Sequence, residues 1–529
     1  MNRWSALALL LALASALALR VPQLDTRPLH NDEAVNAVKV SELWQHGRYA
    51  YDPDEYHGPA LHYATLPFLW LSGARNSDDL QDATLRLAPV AFGVGLILLL
   101  LLFADGLGRT ALAWAAIFIA VSPAMVFYSR YFIHEMLLVF FTTLTIGAGW
   151  RYAQTRSARW VLLAGAGLGL MFVTKETFVI SLAAMGLAGF VTVWWTRPKG
   201  NRIRSLLALW NWKHAALAMA AAFIIWLVLF SSFFTHPAGL LDSARTYLPW
   251  LKRAGGHSPH IHPWSFYLER LAWFHPAKGP VWSEGLILVL AVVGAVVTLV
   301  GKKSPLLRFL VLYTIVLTVL YSAISYKTPW CLLNFYLGMI LLAGVGAAAL
   351  VEFFRGRALK VVVVLVLLGS TIQLSWQAVR ASFGVRLKRE RDDGHARWVL
   401  DTDWRNPYVY AQTVPDLLKL VQRAEGLARV APTGYETIVK VMAPDSDYWP
   451  LPWYLRRFQH LGWYDKLPED PFAPIVVVSS KLDARLDEKS DRKWIMAGLT
   501  ELRPGVFFEL YVELELWKKY VETLPRNRD

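Results

Sequence analysis

Apolar runs close to the ~20 residues that cross a bilayer as a helix recur through roughly the first three-quarters of this chain. They fall at Trp4–Leu19, Leu85–Ala104, Ala111–Phe127, Ile133–Trp150, Trp160–Val173, Phe178–Trp195, Ala215–Phe234, Glu284–Val300, Leu307–Ala323, Cys331–Val351 and Leu359–Trp376, about eleven in all. A chain of 529 residues that is 55% hydrophobic and 18% charged lies below the roughly 25% charge of soluble domains. The fold class is therefore a polytopic α-helical membrane protein. Ala16-Leu17-Ala18 resembles a signal cleavage site, but several further spans follow, so the first run is read as a retained helix.

The net charge of +14 is carried largely between the apolar runs. That placement points to topology and anionic lipid headgroups and away from nucleic acid. The loops Arg151–Arg159, Arg197–Lys213, Lys302–Arg308 and Arg355–Lys360 are strongly basic. With the N-terminus inside, all four fall on the cytoplasmic side of the cytoplasmic (inner) membrane. The outer side then receives Val21–Thr84, Tyr128–Phe132, Lys175–Thr177, Thr235–Ser283, Ser325–Trp330 and the chain after Arg380. The single cysteine, Cys331, excludes an internal disulfide and a cysteine-based zinc site.

Two domains are expected: 1–379 in the membrane, with outer loops 21–84 and 235–283, and an extracytoplasmic α/β domain at 380–529. In the latter, β-like runs at Tyr408–Gln412, Thr437–Met442 and Ile475–Ser479 alternate with helix-like stretches such as Val414–Ala424. This alternation suggests a small, partly parallel sheet.

The first outer loop packs Asp32, Glu33, Asp52, Asp54, Glu55, His30, His57 and His62 into one short stretch. Asp32-Glu33 opens a helix expected over Glu33–His46. Two readings stand: an N-terminal cap, or a general base that takes a proton from an acceptor hydroxyl. In the turn-rich run Tyr51–Pro59, Asp52 and Asp54 read as structural, and His57 is the substrate-binding candidate. Arg130 and His134 are four residues apart and predict one helical face. Glu135 enters an apolar run, where a carboxylate needs a partner. It reads either as an ion pair with Arg130 or as a second acid that binds a metal with Asp32. Lys175, Glu176, Tyr326 and Lys327 complete the outer-face set, with the lysines as cations for a phosphate or as snorkelling side chains. His257, His260 and His262 have a spacing compatible with zinc, but a flexible loop is preferred.

Together and in order, the runs HNDEAVNA, YDPDEYHGPALHY, SPAMVFYSRYFIHE, TKET and SYKTPW resemble the GT-C superfamily of membrane glycosyltransferases. The resemblance is to the flippase-activity-associated group, relatives of protein O-mannosyltransferases and of the lipid A aminoarabinose transferase. It extends to NPYVYAQTVPDL and DYWPLPWYLRRF in the tail. It implies a polyprenyl-phosphate-linked sugar donor and a glycan, lipid or protein acceptor, with membrane lipids as surroundings. It also implies Asp32 at the catalytic acidic position with Glu33 beside it. The family often carries Asp where this chain has Glu135, which keeps the charge but lengthens the arm. A divalent cation (Mg, Mn or Zn) is the one cofactor considered. The expected activity is transfer of the sugar at the outer membrane face. A non-catalytic flippase partner or lipid carrier with the same fold is the alternative. A transporter is disfavoured, because the charges cluster near span ends and not at the midplane.

Overall fold

In a computed structural model of the protein, residues 3–54, 57–196, 211–255, 260–276, 279–301, 304–383, 386–392, 395–401 and 405–524 are described. Among them, eight helices are long and apolar enough to cross a membrane: Arg3–Arg20, Asp82–Leu107, Glu135–Thr155, Phe178–Thr196, Trp212–Phe230, Pro305–Ala323, Pro329–Phe353 and Arg357–Phe383. Two shorter apolar helices, Ala158–Phe172 and Gly285–Val300, stand at two further expected spans. The expected Ala111–Phe127 span is not one rod. It breaks at Ser122, between Arg109–Val121 and Pro123–Ser129, with a bend of 56°. Pro123 has no amide hydrogen to continue the first helix, and Ser122 caps the second by accepting from Met125 N.

Burial sorts the helices. Pro329–Phe353 is 89% buried along its most apolar stretch and forms the centre, whereas Trp212–Phe230 is only 6% buried. Phe223 and Ile224 of the latter face outward, as lipid-facing side chains do. The central helix sits close against Gly285–Val300 because Gly294 and Gly346 meet there. A Cβ on Gly294 would lie 2.0 Å from Leu342 O, so the backbones approach as only small residues allow. The chain is a multi-pass membrane protein.

The segment between the first two long apolar helices is mostly helical. Asn31–His46 follows the first span and ends at Gly47, whose φ of 65° closes the helix in the left-handed region. A second helix, Ala60–Ser72, follows and ends at Gly73.

After the last span, Arg386–Asp392 (β1) pairs antiparallel with His395–Asp401 (β2). A second, mixed sheet has the order β4-β3-β5-β7-β6, built from Val439–Met442 (β3), Leu461–Tyr464 (β4), Ile475–Ser479 (β5), Trp494–Arg503 (β6) and Val506–Glu513 (β7). β3 runs parallel to β4 and β5, and β7 is antiparallel to both its neighbours. β5 is apolar on both faces because both are covered. Ile475 and Val477 pack with the Leu417–Val430 helix, and Val476 and Val478 with Leu486.

The expected strand at Tyr408–Gln412 is absent. That segment is a series of turns, and its polar groups bond to the membrane helices instead. Tyr128 donates its hydroxyl to Tyr408 O at 3.1 Å, and Tyr408 donates its own to Glu284 Oε1 at 2.6 Å.

Candidate active site

The cap and base readings of the Asn31–His46 helix separate onto two different side chains. His30 is the N-cap. Its Nδ1 accepts from Asp32 N at 3.1 Å, and Glu33 Oε2 accepts from His30 N at 3.0 Å, forming a reciprocal capping box. Glu33 is fully buried. Its Oε1 accepts from Arg86 Nε at 2.7 Å and Phe132 N at 2.8 Å, and its Oε2 from Arg86 Nη2 at 2.7 Å. Every useful lone pair is occupied and no solvent reaches it. The expectation of a catalytic Glu33 is therefore corrected: it anchors the helix to the membrane domain.

Asp32 turns the other way. Its side chain is 50% exposed, and the nearest ionisable group is His30 Nδ1 at 3.8 Å. It opens onto a cavity of about 420 Å³ that His57, His134, Glu135, Lys175, Glu176 and Tyr326 also line. The other wall is apolar and aromatic: Val179, Ile180, Trp250, Leu251 and Trp330. A polar end beside an apolar wall suits an amphiphilic substrate.

Two charge pairs hold the polar end. His57 Nδ1 lies 2.7 Å from Glu176 Oε2, and Tyr51 donates its hydroxyl to Glu176 Oε1 at 3.3 Å. Burial works against the Glu176 charge, but His57 outweighs it and lowers the pKa below the usual range. The His57 ring stacks on Trp250 at 5.2 Å. Its loop reaches this position because residue 58 is glycine. A Cβ there would lie 2.3 Å from Val173 O, the same oxygen that accepts from Ala60 N at 2.9 Å. The second pair is Lys175 Nζ on Glu135 Oε1, both nearly buried. Burial disfavours the ammonium, yet the Glu135 carboxylate raises the Lys175 pKa overall. Glu135 thus takes Lys175 as its partner and not Arg130.

Two of the expected cations are elsewhere. Arg130 donates to the carbonyls of Arg20, Pro22 and Gln23 at 2.7–2.9 Å and does not line the Asp32 cavity. The Arg130–His134 helical face fails because residues 130–134 are not helical. Instead His134 Nε2 donates to Gly58 O at 3.0 Å. Lys327 is buried and donates to the carbonyls of His262 and Ile324. Its neighbours Tyr326 and Thr328 line the cavity in its place. Both cations went to carbonyls because helix and loop ends leave those acceptors unpaired.

His260 Nδ1 and His262 Nε2 lie 2.6 and 3.2 Å from the Tyr410 hydroxyl. Burial lowers the His260 pKa, opposed in part by Asp32. His257 lies outside the described residues. Among the described residues, no group of three His, Cys, Asp or Glu could hold a metal ion. Glu135 already has Lys175 against its carboxylate, so Asp32 and Glu135 do not form a metal site as they stand.

The tail unit clamps the segment that carries Asp32. Arg503 Nη1 donates to Asn31 Oδ1 at 3.1 Å, and Leu29 N donates to the Tyr454 hydroxyl at 2.7 Å. Tyr454 and Trp453 in turn donate to Asp82, each at 2.7 Å. Sequence reasoning missed Trp250, Tyr410 and Glu284. Trp250 carries no motif signal, and Tyr410 lies in the NPYVYAQTVPDL run, where it reads as part of a strand. Glu284 stands at an expected span start, where a charge reads as a helix end. It is fully buried and accepts from Ser122, Ala124, Tyr336 and Tyr408.

This architecture, a helical membrane body with the Asn31–His46 helix packed against a small sheet domain, is the GT-C fold. The crystal structure of ArnT from Cupriavidus metallidurans in the apo state is similar over 96% of this chain and 97% of that one, with a TM-score of 0.61 and 16% identity. The same protein bound to undecaprenyl phosphate gives a TM-score of 0.59 at 16% identity, over 96% of this chain and 98% of that one. The archaeal oligosaccharyltransferase AglB from Archaeoglobus fulgidus, in complex with an inhibitory peptide and a dolichol-phosphate, gives 0.57 at 14% identity, over 91% and 70%. Within the chain, residues 60–240 match the family model of the dolichyl-phosphate-mannose-protein mannosyltransferases. No curated protein sequence matches this chain.

Proposed function

We propose that the protein is a membrane glycosyltransferase that moves a sugar from a polyprenyl-phosphate donor to an acceptor hydroxyl at the outer face of the cytoplasmic membrane. The observation that carries this reading is the single cavity shared by Asp32, two charge pairs and an apolar wall. The fold supports it, as does a neighbour of that fold bound to undecaprenyl phosphate. The donor's lipid tail lies along Val179, Ile180 and Leu251. Its phosphate sits near Lys175, one of the cations read from the sequence for that role, and near His57, which takes the place of Arg130 and Lys327.

Asp32 takes the proton of the acceptor hydroxyl. The acceptor oxygen forms its bond to the anomeric carbon, the bond from that carbon to the phosphate oxygen breaks, and the electron pair leaves on the phosphate. The acceptor approaches from the solvent side of Asp32, past His260 and Tyr410. The tail unit, on the extracytoplasmic side in this reading, fixes Leu29 and Asn31 and so fixes where Asp32 points. The test is transfer of labelled sugar from polyprenyl-phosphate donors by purified Asp32→Asn protein. Loss of transfer with normal folding is expected, and unchanged turnover would overturn the assignment.

A further inference from the structure

Four guanidinium groups, Arg20, Arg27, Arg86 and Arg130, crowd together where the Arg3–Arg20, Pro123–Ser129 and Arg357–Phe383 helices end. A small cavity of about 30 Å³ lies among them, lined by Arg27, Arg86, Arg130, Glu33, Tyr131 and Ser382. It is distinct from the Asp32 cavity, with which it shares no lining residue.

One of the four cations, Arg86, is paired with a carboxylate, and a second, Arg20, does not line the cavity. Arg20 donates to Ser129 Oγ and to the carbonyls of Ala120 and Ile119. Arg86 holds Glu33, the one carboxylate lining this cavity, with two hydrogen bonds. Among the described residues, Arg27 and Arg130 have no carboxylate within ion-pairing distance. Arg27 donates to Ala381 O at 2.7 Å and lies over the Phe127 ring, and Arg130 lies over the Phe383 ring. Burial, and then the neighbouring guanidiniums, lower the pKa of Arg130 to about 9 and of Arg27 to about 10. The cluster thus lacks negative charge. A second, independent observation points the same way. Ser382 is only 6% exposed and lines the cavity, yet its Oγ has no hydrogen-bond partner. A buried hydroxyl beside two unneutralised cations is what a phosphate oxygen needs.

We infer that Arg27, Arg130 and Ser382 form a phosphate-binding site, separate from the transfer cavity, that holds the headgroup of an anionic membrane lipid. Ser382 stands in the last turn of the Arg357–Phe383 helix and Arg130 is the C-cap of the Pro123–Ser129 helix, so the site sits at helix ends, at headgroup depth in this reading. Val21, near the lining residue Gln23 in the chain, and Trp376 and Val379, on the helix that carries Ser382, are exposed apolar surface on which acyl chains can lie.

The test uses the full-length protein, delipidated in neutral detergent. Phosphatidylglycerol, phosphatidylcholine and inorganic phosphate are titrated separately, and binding is read by native mass spectrometry and thermal unfolding. Phosphatidylglycerol should bind more tightly than phosphatidylcholine. Arg27→Gln should weaken it about tenfold, the loss of one charge-assisted hydrogen bond. Arg27→Lys should retain most of the affinity, and Ser382→Ala, which leaves every charge in place, should weaken it by a smaller factor. Ser382→Ala alone decides the matter if Arg27→Gln does not fold. Equal stabilisation by inorganic phosphate, with no added effect of phosphatidylglycerol, would overturn the lipid assignment in favour of a free anion. Wild-type affinity for phosphatidylglycerol in Ser382→Ala and in folded Arg27→Gln would overturn the site altogether.

Discussion

Asp32 and Glu33 are neighbours at the first turn of one helix, and they occupy opposite kinds of protein. Glu33 sits in a dry, saturated junction with Arg86, the Phe132 amide and the His30 amide. Asp32 sits half in solvent at the polar end of a large cavity. A helix turns by about 100° per residue, so adjacent side chains face different surroundings. One region uses a carboxylate to fix the helix, and the other leaves a carboxylate able to receive a proton. The first makes the second possible, because the position of Asp32 depends on the capping box and the Arg86 pair beneath it.

The contrast can be broken by exchanging which carboxylate is lost. Asp32→Asn should lower sugar transfer by about 10²–10⁴-fold, the range of a general base, while leaving the thermal unfolding curve in place. Glu33→Gln should do the reverse in kind. It leaves Arg86 buried against a neutral partner and should cost about 3–5 kcal/mol of stability, read as a large fall in melting temperature and in yield. Equal effects of the two substitutions on both readouts would erase the distinction drawn between them.

The Glu135–Lys175 pair tests whether the cavity itself is built like the junction. Lys175→Met alone strands a buried carboxylate and should destabilise. The double variant Glu135→Gln/Lys175→Met should recover part of that loss, because removing both charges removes the desolvation problem. Transfer should stay low in the double variant, since a cavity cation is gone. Recovery of full activity would remove Lys175 from the phosphate role.

His57 and Glu176 sharpen the comparison through pH. The Glu176 pKa is lowered in the folded protein, so folding favours its charged form. That contribution is present above the unfolded Glu pKa of about 4.3 and is lost as the pH falls through the lower folded value. Wild type should therefore lose stability more steeply than Glu176→Gln below about pH 4.3, measured as melting temperature against pH. The smallest effect is expected from metal removal. With Lys175 already against Glu135 and no three-ligand group among the described residues, a chelator should leave the transfer rate unchanged. A rate that falls with chelator and returns with added Mg, Mn or Zn would show a metal role for Asp32.

Much of this was legible in the chain. The spans are set by the cost of placing backbone in lipid, which only long apolar helices meet, and all the expected segments are helical. The bend at Ser122–Pro123 was readable too, since proline cannot continue a helix, but the long apolar run concealed it. β3 and β5 appear where their apolar runs stand. The Tyr408–Gln412 strand does not, because its aromatic residues serve the membrane helices and not a neighbouring strand.

What the sequence determined by itself is the membrane body, the acidic segment after its first helix and the sheet-bearing tail, because burial in lipid and alternation in strands leave local patterns. What only the tertiary structure decided is the fate of each charge. Arg86 lies 53 residues from Glu33 and Glu176 lies 119 from His57. No local pattern records which carboxylate those groups will meet, and that pairing left Asp32 open and turned Arg130 and Lys327 away from the cavity.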